Sequence, residues 1–145
     1  MANIVPDSFK EELFEAIHDF TASTGDTFKI ALYNTVSGFA AATTTVYNAT
    51  IGSSVEVTGT GYTATGATLV NISPTVAQNV AFVDFNDVTF TTATITAAAA
   101  LIYNTSNGSK AVVVLDFGGS KTSTNGDFTI QFPAANSTSA ILRIS

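Results

Sequence analysis

Apolar residues recur at two different periods along this chain, and the change from one to the other falls near residue 25. Phe9, Leu13, Ile17 and Phe20 stand three or four positions apart, and Phe14 widens the stripe they make. This spacing predicts an amphipathic helix over residues 6–20. Ser8 and Glu11 have capping-box spacing, Asp7 is an alternative N-cap, and Pro6 stands just outside. Glu11, Glu12, Glu15 and Asp19 are expected on the solvent side, with His18 on the same polar face. Glu11 and Glu12 also lie where the helix dipole favours negative charge. A helix so placed either covers one end of a sheet or docks on a neighbouring subunit.

Beyond Thr21–Asp26 the period becomes two. Phe28, Ile30 and Leu32 alternate with Lys29, Ala31 and Tyr33, the pattern of a half-buried strand. Further strands are expected around 44–47, 55–57, 69–72, 80–83, 88–98, 101–103, 128–132 and 140–144. The continuous apolar run from Ala111 to Phe117 predicts a strand covered on both faces. Turns are expected at 84–87 and 104–109, a loop at 118–126, and strand ends at Pro74 and Pro133. Short strands separated by turn residues predict a mainly β fold: an antiparallel β-sandwich or jelly roll of about eight strands with one N-terminal amphipathic helix. The organisation expected is an N-terminal helical segment over 1–25, serving as contact arm or cap, and a single β-sandwich domain over 26–145.

Composition shifts attention to the surface. Only 11% of the 145 residues are charged, whereas hydrophobic residues make up 46%, against roughly 25% charged in an ordinary soluble domain. So apolar a chain is not a disordered one, and part of its surface is expected to be buried against other subunits. The five cations, Lys10, Lys29, Lys110, Lys121 and Arg143, are scattered in a chain of net charge −6. No basic stripe is available to neutralise phosphates, so nucleic acid is not an expected partner. The longest mainly apolar run, 97–103, is far short of the ~20 residues that span a bilayer, and no membrane association is expected. The N-terminus lacks a basic region followed by an apolar one, so no signal peptide is expected either.

Candidate chemistry is sparse. The absence of cysteine excludes disulfides and thiolate sites. His18 is the single histidine, and no Gly-x-Ser-x-Gly elbow accompanies it. Glu56, Asp84, Asp87 and Asp116 could in principle supply a carboxylate pair for glycoside hydrolysis. Without tryptophan, however, a sugar-stacking face is hard to build. Asp84 and Asp87 read better as turn residues, and the turn lacks the alternating oxygen ligands of an EF-hand loop. The glycines of 59–66 match neither a dinucleotide fingerprint nor a P-loop, and read as bulges and turns. No catalytic residue, metal ligand or cofactor is therefore expected.

The residues do carry a likeness. Glu56-Val-Thr-Gly-Thr-Gly-Tyr-Thr, Phe90-Thr-Thr-Ala-Thr-Ile-Thr-Ala, Ala100-Leu-Ile-Tyr-Asn, Ala111-Val-Val-Val-Leu-Asp-Phe-Gly, Asp127-Phe-Thr-Ile-Gln-Phe-Pro and Ala140-Ile-Leu-Arg-Ile follow one another in the chain. With the opening Phe9-Lys-Glu-Glu-Leu and Asp26-Thr-Phe-Lys-Ile-Ala-Leu-Tyr, this series resembles small β-rich virion proteins of tailed bacteriophages. The resemblance implies a virion location, as a capsid decoration or cement subunit bridging major capsid proteins; the sparse chemistry, for its part, leads to no expectation of an enzyme. Such subunits are often homo-oligomers, commonly trimers, on β-sandwich or jelly-roll domains. The alternative it leaves open is a tail- or fibre-associated module that binds a host surface receptor. The expected assembly contact is the apolar stripe Phe9, Leu13, Phe14, Ile17 and Phe20.

Overall fold

The computed structural model describes residues 3–145. It is mainly β and antiparallel, a β-sandwich preceded by one short helix. Its centre is a long hairpin. Strand β7 (Val88–Asn104) and strand β8 (Lys110–Ile130) pair along their length around the 105–109 turn. The expected 88–98 and 101–103 strands are thus one. Strand β1 (Phe28–Tyr33) pairs with the apolar end of β7, and the two-residue β4 (Ala67–Thr68) closes the order β4-β1-β7-β8. A second sheet has the order β5-β6-β9, from Asn71–Ala77, Val80–Phe85 and Leu142–Ile144. A small hairpin joins β2 (Thr50–Ile51) to β3 (Ser54–Val55).

Periodicity in β7 records what covers it. From Val88 to Ala97 the threonines face solvent while Phe90, Ala93, Ile95 and Ala97 are buried, so one face is covered. From Ala99 to Asn104 every residue is buried, because both faces are covered. Ile30, Leu32, Ala100, Ile102 and Val113 pack against Phe9, Phe20, Phe85 and the β5-β6-β9 sheet. On the opposite face Ala31, Tyr33, Leu101, Tyr103 and Val114 lie under Val36, Phe39, Tyr47 and Ile51, from the irregular segment after β1.

Several elements depart from expectation for local physical reasons. The loop expected at 118–126 is instead part of β8. Extra residues beyond Asp116 are absorbed in a bulge between the Ala97 and Ala99 pairings, where Gly118 and Gly119 have positive φ. Pro74 does not end its strand but lies within β5, an outer strand where a missing N–H costs no ladder bond, at a register shift. The strand expected at 44–47 is reduced to one bridge, Val46 to Lys110. The β5–β6 turn, Gln78-Asn79, has positive φ at both residues, as a tight type I′ hairpin requires.

The helix is shorter than its apolar stripe. It spans Asp7–Phe14 with Pro6 at the N-cap and no side-chain cap. The Ser8–Glu11 capping box does not form, and the Ser8 hydroxyl is buried without a partner. Ala16 takes a left-handed conformation (φ 57°), and the N–H groups of Ala16 and Ile17 bond to Leu13 and Glu12 carbonyls. That pair of bonds is a Schellman termination, made here without the usual glycine. The chain then turns, so Phe20 enters the core by way of a loop and stacks on Phe28 at 4.5 Å between ring centroids.

Phe20→Ala should therefore destabilise the protein by about 3–5 kcal/mol, whereas Phe14→Ala should shift stability by no more than about 0.5 kcal/mol. Urea unfolding of the two variants beside the parent protein checks both values.

Candidate functional site

The five apolar residues of the N-terminal segment do not form one surface. Phe9 and Phe20 are buried in the core, Leu13 and Ile17 are half-buried, and Phe14 is 96% exposed. Beside Phe9 and Leu13 the sandwich is open. A groove of about 750 Å³ runs between the helix and the inner side of β6 and β9, with Ala81, Val83, Leu142 and Ile144 along its wall. Lys10 and Arg143 stand on it as well. Lys10 bonds Asp7 at 2.8 Å on the exposed helix surface, and Arg143 donates to the Thr138 carbonyl. Ile144 is 62% exposed at the mouth.

Of the ionisable side chains that sequence placed at the surface, Glu11, Glu15 and Asp19 are exposed, but Glu12 and His18 are drawn into the fold. Glu12 is buried and His18 has a fully buried side chain. Glu12 Oε1 accepts from Lys110 Nζ at 2.9 Å, and its Oε2 meets His18 Nε2 at 2.8 Å. Neighbouring bonds assign the tautomer. Asn104 Oδ1 accepts from Ser106 N–H, so Asn104 Nδ2 is the group that donates to Asp26 Oδ2 (2.7 Å) and to His18 Nδ1 (3.0 Å). His18 Nδ1 must then be bare, with the proton on Nε2 directed at Glu12. Asp26 Oδ2 also accepts from Asn107 Nδ2 and the Asp19 N–H, both at 2.9 Å. The whole chain of bonds fastens the N-terminal segment to the β7–β8 turn. A polar-face histidine was expected because the helix was expected to continue; its early end turns His18 inward.

A second buried cluster gathers all four tyrosines. Glu56 accepts from the hydroxyls of Tyr47 and Tyr62, both at 2.6 Å, and from the Thr65 N–H at 2.7 Å. Tyr103 donates to the Thr65 carbonyl at 2.6 Å, and Tyr33 donates to the Asn48 carbonyl at 2.7 Å. Thr65 is held at φ 78°, a conformation uncommon for a β-branched residue. Gly66 follows, where a Cβ would collide with the Ile30 carbonyl. The glycine-rich 59–66 segment is thus close backbone packing against the sheet, beyond the bulges and turns expected of it. Glu56 is fully occupied in holding this segment down.

Asp84 and Asp87 flank the β6–β7 turn. Asp87 accepts from the Phe132 N–H at 2.8 Å, and Asp84 from the Phe85 N–H at 2.9 Å. Asp84 is buried and its Oδ2 lacks a hydrogen-bond partner. Burial pushes its carboxyl above the usual range, against the bonds from Phe85 and Ile141 N–H groups. Among the described residues no three His, Asp or Glu side chains come together as metal ligands. No described helix is long and apolar enough to cross a membrane. Compared with protein-family models, curated proteins and solved structures, the chain matches none.

Two pH effects follow. Burial raises the tyrosine phenols, Tyr103 to about 12 and the other three further, with Glu56 adding to the shift. Their folded values exceed the unfolded value of about 10, so their contribution is intact below that pH and lost as pH rises through the folded values. An alkaline titration should show phenolate absorbance appearing together with loss of β circular dichroism, rather than before it. Asp84 is also raised, so the native state holds its proton more tightly and stability falls as pH climbs out of the acid range. Asp84→Asn should therefore be more stable than the parent at pH 7, and this advantage should vanish in acid; paired urea curves would show it.

Proposed function

We propose that this chain is a non-catalytic virion structural protein of a tailed bacteriophage, a decoration or cement subunit that stabilises contacts between capsid subunits. The observation that carries the reading is where the polar and apolar groups are spent. Glu12, His18, Asp26 and Glu56 are tied up in fastening the fold. Apolar surface remains open at Phe14, Val76, Ile144 and the groove beside the helix. A protein that spends these ionisable groups on its own fold and leaves apolar surface outside is suited to binding other proteins. The resemblance of its strand sequences to small virion proteins supplies the particle.

Stabilisation would be by mass action. A subunit that binds only the assembled shell lowers the free energy of that state, and a stable contact needs on the order of 1,200–2,000 Å² of buried surface. A second reading has one observation in its favour. A groove of about 480 Å³ lined by Asn34, Thr58, Thr94, Thr96, Thr122 and Thr124 offers uncharged hydroxyls of the kind a glycan could bond. On that reading the chain is a tail- or fibre-borne receptor module.

Mixed with particles that lack it, the purified chain should co-sediment to saturation and raise the temperature at which the shells open, in a scanning fluorescence measurement. A particle reconstruction that places the chain at the tail tip, together with glycan binding lost in Thr94→Val, would replace the capsid reading with the receptor one.

A further inference from the structure

The sheet edges of this molecule are not equally protected. β5 carries Pro74 and a register shift, both of which blunt an edge against further pairing. β4 has two residues. β8 is met at Val114 by Ile4 and then distorted by its glycine bulge. β9 (Leu142–Ile144) is short, but among the described residues neither proline, bulge nor another strand covers its outer side. It is also the edge that borders the apolar groove. Leu142 and Ile144 pair with Val83 and Ala81, and these four residues line one wall of the opening. Arg143, between them in the alternation, pairs with Phe82.

We propose that β9 is a strand-addition site for an extended segment of a partner protein that reads apolar–acidic–apolar. Such a segment continues the β5-β6-β9 sheet through its main chain, as in other strand-addition complexes. Its two apolar side chains fall beside Leu142 and Ile144 over the groove, and its acid falls opposite Arg143. Charge selects the occupant. The chain has five Lys and Arg in all and a net charge of −6, yet one of the five, Arg143, is the central residue of this three-residue edge, so an acidic residue is favoured opposite it. A second copy is the poorer occupant. Added two-fold symmetrically over the same three residues, it sets Arg143 opposite its own symmetry mate, and like charges directly opposite destabilise a pair. The inference rests on the assembly reading, for which it names the kind of segment recognised.

The test uses the full-length, 15N-labelled chain and two capped peptides, Thr-Val-Glu-Val-Thr and Thr-Val-Lys-Val-Thr. The acidic peptide should shift the amide resonances of residues 142–144 and of Ala81–Val83, and slow hydrogen exchange at β9. It should bind about fivefold more tightly than the lysine peptide, and Arg143→Glu should reverse that order. Arg143 lies on the exposed edge, so this variant is expected to fold, and its amide spectrum checks that it has. Equal binding of the two peptides, shifts confined to other strands, or no shift at millimolar peptide would each overturn the proposal. So would concentration-dependent dimerisation, seen by light scattering and lost in Ile144→Pro, since the second copy would then be the occupant. Co-sedimentation with particles in the absence of peptide binding would refute this site while leaving the assembly reading standing. Failure to co-sediment, with peptide binding intact, would do the reverse.

Discussion

The hairpin β7–β8 is apolar on both faces where β1 joins it, and everything else in the fold answers to that. A sheet buried on one side can leave the other to water, but Leu101 and Ile102 point in opposite directions and both are buried. Two covers are therefore needed. One is regular: the β5-β6-β9 sheet, with Phe9 and Phe20 filling the end. The other is largely loop, residues 34–58, with only the two-residue strands β2 and β3 for order. An irregular layer cannot satisfy its backbone through a ladder, so it must find other partners.

Buried polar groups supply those partners. Ser54 Oγ donates to the Thr35 carbonyl and accepts from the Gly38 N–H, Tyr33 reaches the Asn48 carbonyl, and Glu56 gathers two phenols and a main-chain N–H. Beside the β7–β8 turn, Glu12, His18, Asn104 and Asp26 do the same for the N-terminal segment. In a low-dielectric interior each of these groups is costly if left unpaired. That cost is also what gives the loops one conformation rather than many. Glu12, His18, Asp26 and Glu56 each help fix one of these segments in place.

Alternation and turn chemistry were enough to find the sandwich and most of its strands. The unbroken run from Ala111 also indicated a strand buried on both faces. Less was legible where tertiary demand overrides local preference. The pattern at 9, 13, 17 and 20 fits a helix, but it fits equally a short helix followed by a loop returning to the same core, and no glycine at 16 marks the stop. Burial of His18 and Glu12 follows from that turn and could not precede it. Glycines at 118 and 119 signal a break, but a bulge inside a continuing strand has the same composition as a loop. The groove depends on which strand ends at a sheet edge, a long-range property with no local signature.

The pairing of Phe28 with Asn104 bears on how the chain reaches this state at all. Contacts between residues so distant in sequence must await closure of the intervening chain, so folding is expected to be slow for a domain of this size. During that interval the β7–β8 hairpin, the most local part of the sheet, can already exist with valines and leucines bare on both sides. Such a ribbon is liable to pair with its neighbours in a crowded cell. Synthesis in high copy would then place a premium on chaperones during the lag between hairpin formation and the arrival of its two covers.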